Sequence, residues 1–175
     1  MPELISKLEE VFHRRGWSFE RVPGRLVIRA DFEAHHTRVP VHVQAFPEIC
    51  GIHVVSGSPI RFPATHRAAA AELILRSCQE MTLGALEMDW DQGSVVFRAS
   101  NLFAGLDQVD DGIVAGLVHA GVTEMDRLTP YLSVLRRESP EGVSQVDIPG
   151  LLARRDLDLR AALEKDALAG AGVGN

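Results

Sequence analysis

The chain is short of most things that mark a reaction centre or an exported protein. It has two cysteines in 175 residues, Cys50 and Cys78. Two are too few for a disulfide framework. Both fall on faces expected to be apolar, so they read as buried reduced thiols. No apolar run approaches the roughly 18 residues that span a bilayer, so no membrane is expected as a partner. At the N-terminus Ser6, Lys7 and Glu9 interrupt Leu4, Ile5 and Leu8. A secretory signal is therefore not expected, and the cytoplasm is the expected location. Basic excess is missing too. The formal net charge is −6, which speaks against a general phosphate-binding surface and against nucleic acid as a partner. There is no G-x-S-x-G, H-E-x-x-H, P-loop or C-x-x-C. The glycine-rich residues 170–174 imitate part of a dinucleotide-binding pattern, without a strand before them or a helix after them. No catalytic residue, metal ligand or cofactor is expected.

What the chain does have is alternation. Leu26, Ile28, Ala30 and Phe32 alternate with polar neighbours, and so do Val39, Val41, Val43 and Ala45, then Cys50, Ile52 and Val54. A period of two means strands with one buried face. The expected strands are residues 25–33, 38–46 and 50–56, preceded by a short one at 17–22. Pairing Glu33 with Arg38 sets Phe32 on Val39, Ala30 on Val41, Ile28 on Val43 and Leu26 on Ala45. Pairing Phe46 with Ile49 sets Val43 on Ile52 and Val41 on Val54. Ile28, Val43 and Ile52 then form one buried row, with Arg29, His42 and His53 on the other face. Pro23-Gly24 favours a type II turn, so that connection is expected to be looser than two residues. A later hairpin turns at Gln92-Gly93; pairing Trp90 with Val95 sets Met88 on Phe97, Leu86 on Ala99 and Glu87 opposite Arg98.

Helical spacing appears at residues 3–15, closed by Gly16. It appears again at 64–80, with Ala68, Ala71, Leu75 and Cys78 as the inner stripe and Ile74 beside it. A long helix starts near Asp110, with Val114, Leu117, Val118, Gly121, Met125, Leu128 and Leu132 inward. Pro130 is expected to kink or end it. Gly112, Gly116 and Ala120 repeat at four-residue spacing, which suits close approach of the chain's own sheet or of a second helix; the first is preferred for Gly116 and Ala120. Residues 139–142 read as a linker, 156–169 as a last helix and 170–175 as a frayed end.

Three constellations invite a chemical reading. His42 and His53, as neighbours, are close enough to share a divalent ion, but a third ligand is missing and Arg29 adds positive charge. Two histidines sharing a solvent face is the preferred reading. His35-His36 reads as a polar turn. Glu87, Asp89 and Asp91 line one strand face, which more often marks a solvated surface than acid–base work.

The order helix, four strands, helix, two strands, helix resembles the YbjN-like bacterial domain family, whose fold is similar to that of class I type III secretion chaperones. The resemblance is carried by LISKLEEVFHRRGWSFERV (residues 4–22), by SPIRFPATHRAAAAELILRSCQEMTLGALEMDWDQGSVVFRAS (residues 58–100) and by the closing helix, over about residues 2–137. It implies an α+β fold with an antiparallel sheet of about six strands, packed on helices, in a domain of residues 1–138; residues 139–175 lie outside the resemblance and read, from their own pattern, as linker, C-terminal helix and flexible tail. It also implies a non-enzymatic, protein-binding regulatory domain, a homodimer like the chaperones, whose partner is another protein or peptide. The alternative is an enzyme or metal-dependent protein with its site at His42 and His53 or at a dimer interface.

Overall fold

The computed structural model describes residues 3–158; the expected tail at 170–175 and all but the start of the expected helix at 156–169 lie outside the described residues. The first helix, α1 (Glu3–Arg14), buries Leu4, Ile5, Leu8, Val11 and Phe12. Gly16, at φ +69°, closes it. The Trp17 N–H reaches back to the Phe12 carbonyl and the Gly16 N–H to that of His13, which satisfies two carbonyls that the helix end would otherwise orphan. Phe12 then receives Trp17 and Phe19 edge-on, at ring separations of 5.1 and 5.5 Å.

Six strands form one antiparallel sheet: β1 (Glu20–Arg21), β2 (Val27–Glu33), β3 (Arg38–Phe46), β4 (Gly51–Arg61), β5 (Ala85–Met88) and β6 (Ser94–Leu102). Their order across the sheet is β1-β2-β3-β4-β6-β5. The β1 strand is far shorter than the expected residues 17–22, and its link to β2 is loose as expected: the Val22 N–H bonds the Val27 carbonyl and the Arg25 N–H bonds that of Val22.

The β2–β3 register is the expected one, with Ile28 on Val43, Ala30 on Val41 and Phe32 on Val39. The β3–β4 register differs by two residues. Val43 pairs with Val54, Ala45 with Ile52 and Phe46 with Gly51. Pro47–Ile49 winds into a 3-10 turn and Cys50 adopts φ 47°, so four residues make the connection where two were expected. The buried row is therefore Ile28, Val43, Val54 and Ala99, with Ile52 one step along. The β5–β6 hairpin differs in the same way: Leu86 pairs with Phe97 and Met88 with Val95. Trp90 stands outside the strand and is exposed. Asp89 is a turn residue too, its carboxylate accepting the N–H groups of Asp91 and Gln92 at 2.9 and 2.8 Å. Slips of two keep every side chain on its expected face.

The helices cover one face. The long α3 (Asp111–Arg137) lies across β3, β4 and β6, and α1 packs on β2, β3 and α3. Asp110 caps α3 by accepting the N–H groups of Gly112 and Ile113 at 2.6 and 3.1 Å. Its expected stripe is buried throughout, and the helix runs on through Pro130, which does not end it. The close approach falls at Gly121: a Cβ there would land on the Ser56 Oγ and lie 3.0 Å from the Ser56 Cβ. Gly116 instead faces open space, so the stripe of small residues does not meet the sheet at Gly116 as expected.

The second helix, α2 (Arg67–Cys78), buries Ala70, Leu73, Ile74 and Ser77. The expected stripe is rotated: Ala68 is exposed, Ala71 and Cys78 are half-buried, and Leu75 is 68% exposed. The helix flanks the β5 edge, where the half-buried Cys78 thiol accepts the Leu86 N–H at 3.3 Å. Cys50 is likewise a free thiol and only half-buried. Beyond the turn at 139–142, Val143, Ile148 and Leu151 join the same core through α4 (Ile148–Leu152), which packs on α2.

Candidate functional site

The sheet face away from the helices carries the residues that the sequence singles out. Each described side chain on its strands there is exposed or half-buried, apart from Gly51, which Ile49 and Leu102 cover. Alternation fixes this: the residues that fill the core at even steps of β2 leave Val27, Arg29 and Asp31 outward. One row across the strands reads Arg29, His42, Val55, Arg98 and Ala85; the next reads Val27, Gln44, His53 and Ser100. His42 and His53 are therefore diagonal neighbours, His42 opposite Arg29 and Val55 and His53 opposite Gln44 and Ser100, and the direct pairing expected of them does not form. The two-residue slip in β3–β4 is the cause.

The electrostatics of this face are local. Arg98 Nε meets Glu87 Oε2 at 2.8 Å, so the expected ion pair forms diagonally. Arg38 lies 3.2 Å from Asp31 and 3.5 Å from Glu33. Burial first, and then the Arg29 guanidinium, holds His42 below the ordinary imidazole value, against an opposite pull from Asp31. Burial and then Arg98 do the same to His53, against Glu87. At the lower edge Ile49 and Leu102 lie together, 60% and 67% exposed. Beside Arg29 a groove of about 360 Å³ opens between β1 and β2, lined by Phe19, Glu20, Asp31 and Arg38.

Among the described residues no three His, Cys, Asp or Glu side chains come together as a metal site would need. Glu87 is engaged by Arg98, Asp89 holds its turn, and Asp91 lies in that turn. The rings of His35 and His36 stack edge-on at 4.6 Å. On the helical side a crevice of about 260 Å³ is lined by Met81, Arg127, Tyr131 and Leu152. Burial pushes the Tyr131 phenol up, and Glu124 there is already paired with Arg127 at 2.8 Å.

Two buried polar groups escape the sequence reading. Asp126, on α3, accepts the His36 N–H at 2.6 Å and the Thr37 N–H at 3.2 Å, so the carboxylate of a distant helix holds the β2–β3 turn. The available signal is an acid beside Met125 within an otherwise apolar stripe. His66, before α2, donates from Nε2 to the Glu138 carbonyl at 3.0 Å and meets the Thr65 hydroxyl at 2.9 Å. It joins the start of α2 to the end of α3, and no local pattern marks it.

The sequence model of the YbjN family, described as "Putative bacterial sensory transduction regulator", matches residues 5–133. Among solved structures the fold is similar to that of YbjN, "a putative transcription regulator from E. coli", at 15% identity and a TM-score of 0.51, over 71% of this chain and 87% of that one. It is also similar to a chain of the ExsC-ExsE complex, at 15% identity and a TM-score of 0.50, over 74% and 96%. No curated protein matches the chain. Likeness at this identity speaks for the fold, the α+β fold that YbjN domains share with type III secretion chaperones. The family match covers well over half of the sequence, from α1 into the last turns of α3: the chain belongs to the YbjN family.

Proposed function

We propose that this chain is a non-enzymatic regulatory domain that binds another protein, and that it acts as a homodimer in the cytoplasm. The observation that carries the reading is the uncovered sheet face. A sheet of six strands has one side sealed by helices and the other open, with Val27, Val55 and Val96 half-buried among polar groups and Leu102 exposed. Antiparallel sheets tolerate water on one face, yet an open face edged with apolar groups is also what a protein partner needs. The net charge of −6 disfavours nucleic acid as that partner. No helix among the described residues is long and apolar enough to cross a membrane.

A second surface suits a second copy of the chain. The outward side of α2 presents Leu75, one turn beyond the half-buried Ala71 and two beyond the exposed Ala68, and small residues allow close approach. A stable pair buries on the order of 1,200 Å² or more. In this reading residues 1–138 carry both binding surfaces, and Val143, Ile148 and Leu151 of the following segment close their core.

Two readouts of one preparation test the proposal. Light scattering is expected to give twice the 19.1 kDa of one chain, and Leu75→Lys is expected to halve that mass. In a pull-down from native lysate, a protein retained by the wild type is expected to be lost with Val55→Asp combined with Val96→Asp. A monomer mass across a hundredfold dilution would overturn the dimer. An unchanged set of retained proteins would overturn the sheet face as the binding surface.

A further inference from the structure

The middle of the open face is built of cations and imidazoles. Arg29 stands opposite His42, His42 opposite Val55, and Val55 opposite Arg98. With strands about 4.8 Å apart this row spans roughly 14 Å. His53 lies one row away, two positions along β4 from Val55. Like charges set across strands oppose folding, so a face shaped for stability alone would interleave carboxylates. Here they flank the row, with Asp31 beside His42 and Glu87 on the side of His53. Glu20 is opposite Arg29 at the β1 end, Glu87 pairs with Arg98, and Asp31 is taken up by Arg38 together with Glu33. With both imidazoles neutral, Arg29 and Arg98 are balanced by Glu20 and Glu87. Arg38 meets both Asp31 and Glu33, so the described residues of this face hold one surplus carboxylate; with both imidazoles protonated, one of the two added charges is left unbalanced.

We propose that this face binds an acidic, extended segment of the protein partner, and that His42 and His53 take up protons as it binds. The inference rests on the sheet face being the binding surface, and it adds the chemistry of the occupant. Charge complementarity selects an acidic segment, and Val55, between His42 and Arg98, offers it an apolar footing. The groups that face the two imidazoles are Arg29 and Asp31 from β2, Arg38 from β3, Glu87 from β5 and Arg98 from β6. No described helix packs on this side. In the free protein burial and the neighbouring guanidinium groups favour neutral imidazoles. An incoming carboxylate reverses that preference, so affinity rises as pH falls.

The test uses the full chain and two labelled synthetic peptides of about twelve residues, one alternating Glu with Thr and the other Lys with Thr, followed by fluorescence anisotropy. The acidic peptide is expected to bind about tenfold more tightly near pH 5.5 than near pH 8, the factor that a one-unit rise in one imidazole pKa supplies. The Lys peptide is expected to bind more weakly at both. His42→Gln with His53→Gln is expected to keep the binding seen near pH 8 and lose the gain at lower pH. Val55→Asp is expected to weaken the acidic peptide by supplying the carboxylate internally. Equal binding of both peptides, a gain that survives in the double histidine variant, or no binding of the acidic peptide at about 1 mM near pH 5.5 would overturn the proposal. If the peptide fails while Val55→Asp with Val96→Asp still strips a protein from the lysate pull-down, the protein-binding reading stands and the acidic occupant falls.

Discussion

Two adjacent rows of one sheet differ in almost everything except their backbone. Ile28, Val43, Val54 and Ala99 form a row that is buried against the helices. One residue along each strand, Arg29, His42, Val55 and Arg98 form a row that meets solvent. The inner row is held on both sides: strands at its flanks and α3 above. The outer row is held by the strands alone. Stability is therefore concentrated on one face, and the other is free to carry charges that do not help the fold.

The comparison is broken most severely by placing a charge in the inner row. Ile28→Asp buries an unpaired carboxylate and is expected to destabilise by about 3–5 kcal/mol. For a chain of this size that lowers Tm by roughly 10 °C. The same substitution one face away, Val55→Asp, lands between His42 and Arg98 and is expected to stay within about 0.5 kcal/mol. Thermal melts of the two variants make the contrast direct, and similar losses in both would show that the outer face is not open.

A smaller effect is expected where the inner face meets its cover. Gly121→Ala overpacks α3 against Ser56 and is expected to cost about 1–3 kcal/mol. Adding Ser56→Gly removes the atoms that the new methyl meets and is expected to restore part of the loss. Urea denaturation of the single and double variants measures the coupling.

The smallest effect is on the outer row itself. His42 and His53 have lower proton affinity in the folded chain than in the unfolded one. Their contribution is intact above the unfolded value of about 6.5 and is lost as pH falls through the folded values. The groups are half-exposed, so the loss is expected to be a few tenths of a kcal/mol. Urea midpoints followed downward from neutral pH should fall slightly faster for the wild type than for His42→Gln with His53→Gln. Equal slopes would mean that the two imidazoles feel water alone.

Faces were legible in the sequence and neighbours only partly so. Alternation assigns each strand residue to a side, and every assignment of that kind in β2, β3, β4 and β6 agrees with the structure. Pairing depends on turn length, which alternation does not encode. Glu33 and Arg38 bracket a turn whose length the charges suggest, and the β2–β3 register follows. Between β3 and β4 the 3-10 turn at Pro47–Ile49 and the left-handed Cys50 absorb two residues that look like strand. Between β5 and β6 the Asp89 carboxylate does the same by capping two turn N–H groups. Both slips are of two residues, so the faces survive while His42 and His53 lose their direct pairing. The α2 stripe differs from expectation for another reason. Four successive alanines, Ala68 to Ala71, give no direction around a helix, and Leu75 as the large residue drew the stripe to the wrong side. The candidate site was thus legible as a surface and not as a set of contacts.

Asp126 carries a consequence for the order of folding. Its carboxylate holds the turn of a hairpin that is 90 residues away in sequence. The β2–β3 hairpin is local and can close in about 1–10 μs, but its turn amides find their acceptor only after the chain has delivered α3. Docking of the helix is therefore expected to lock a hairpin that closes and opens freely before it. Closing a loop of those 90 residues is slow, so a change at Asp126 is expected to show in the refolding rate of a strand pair it does not belong to.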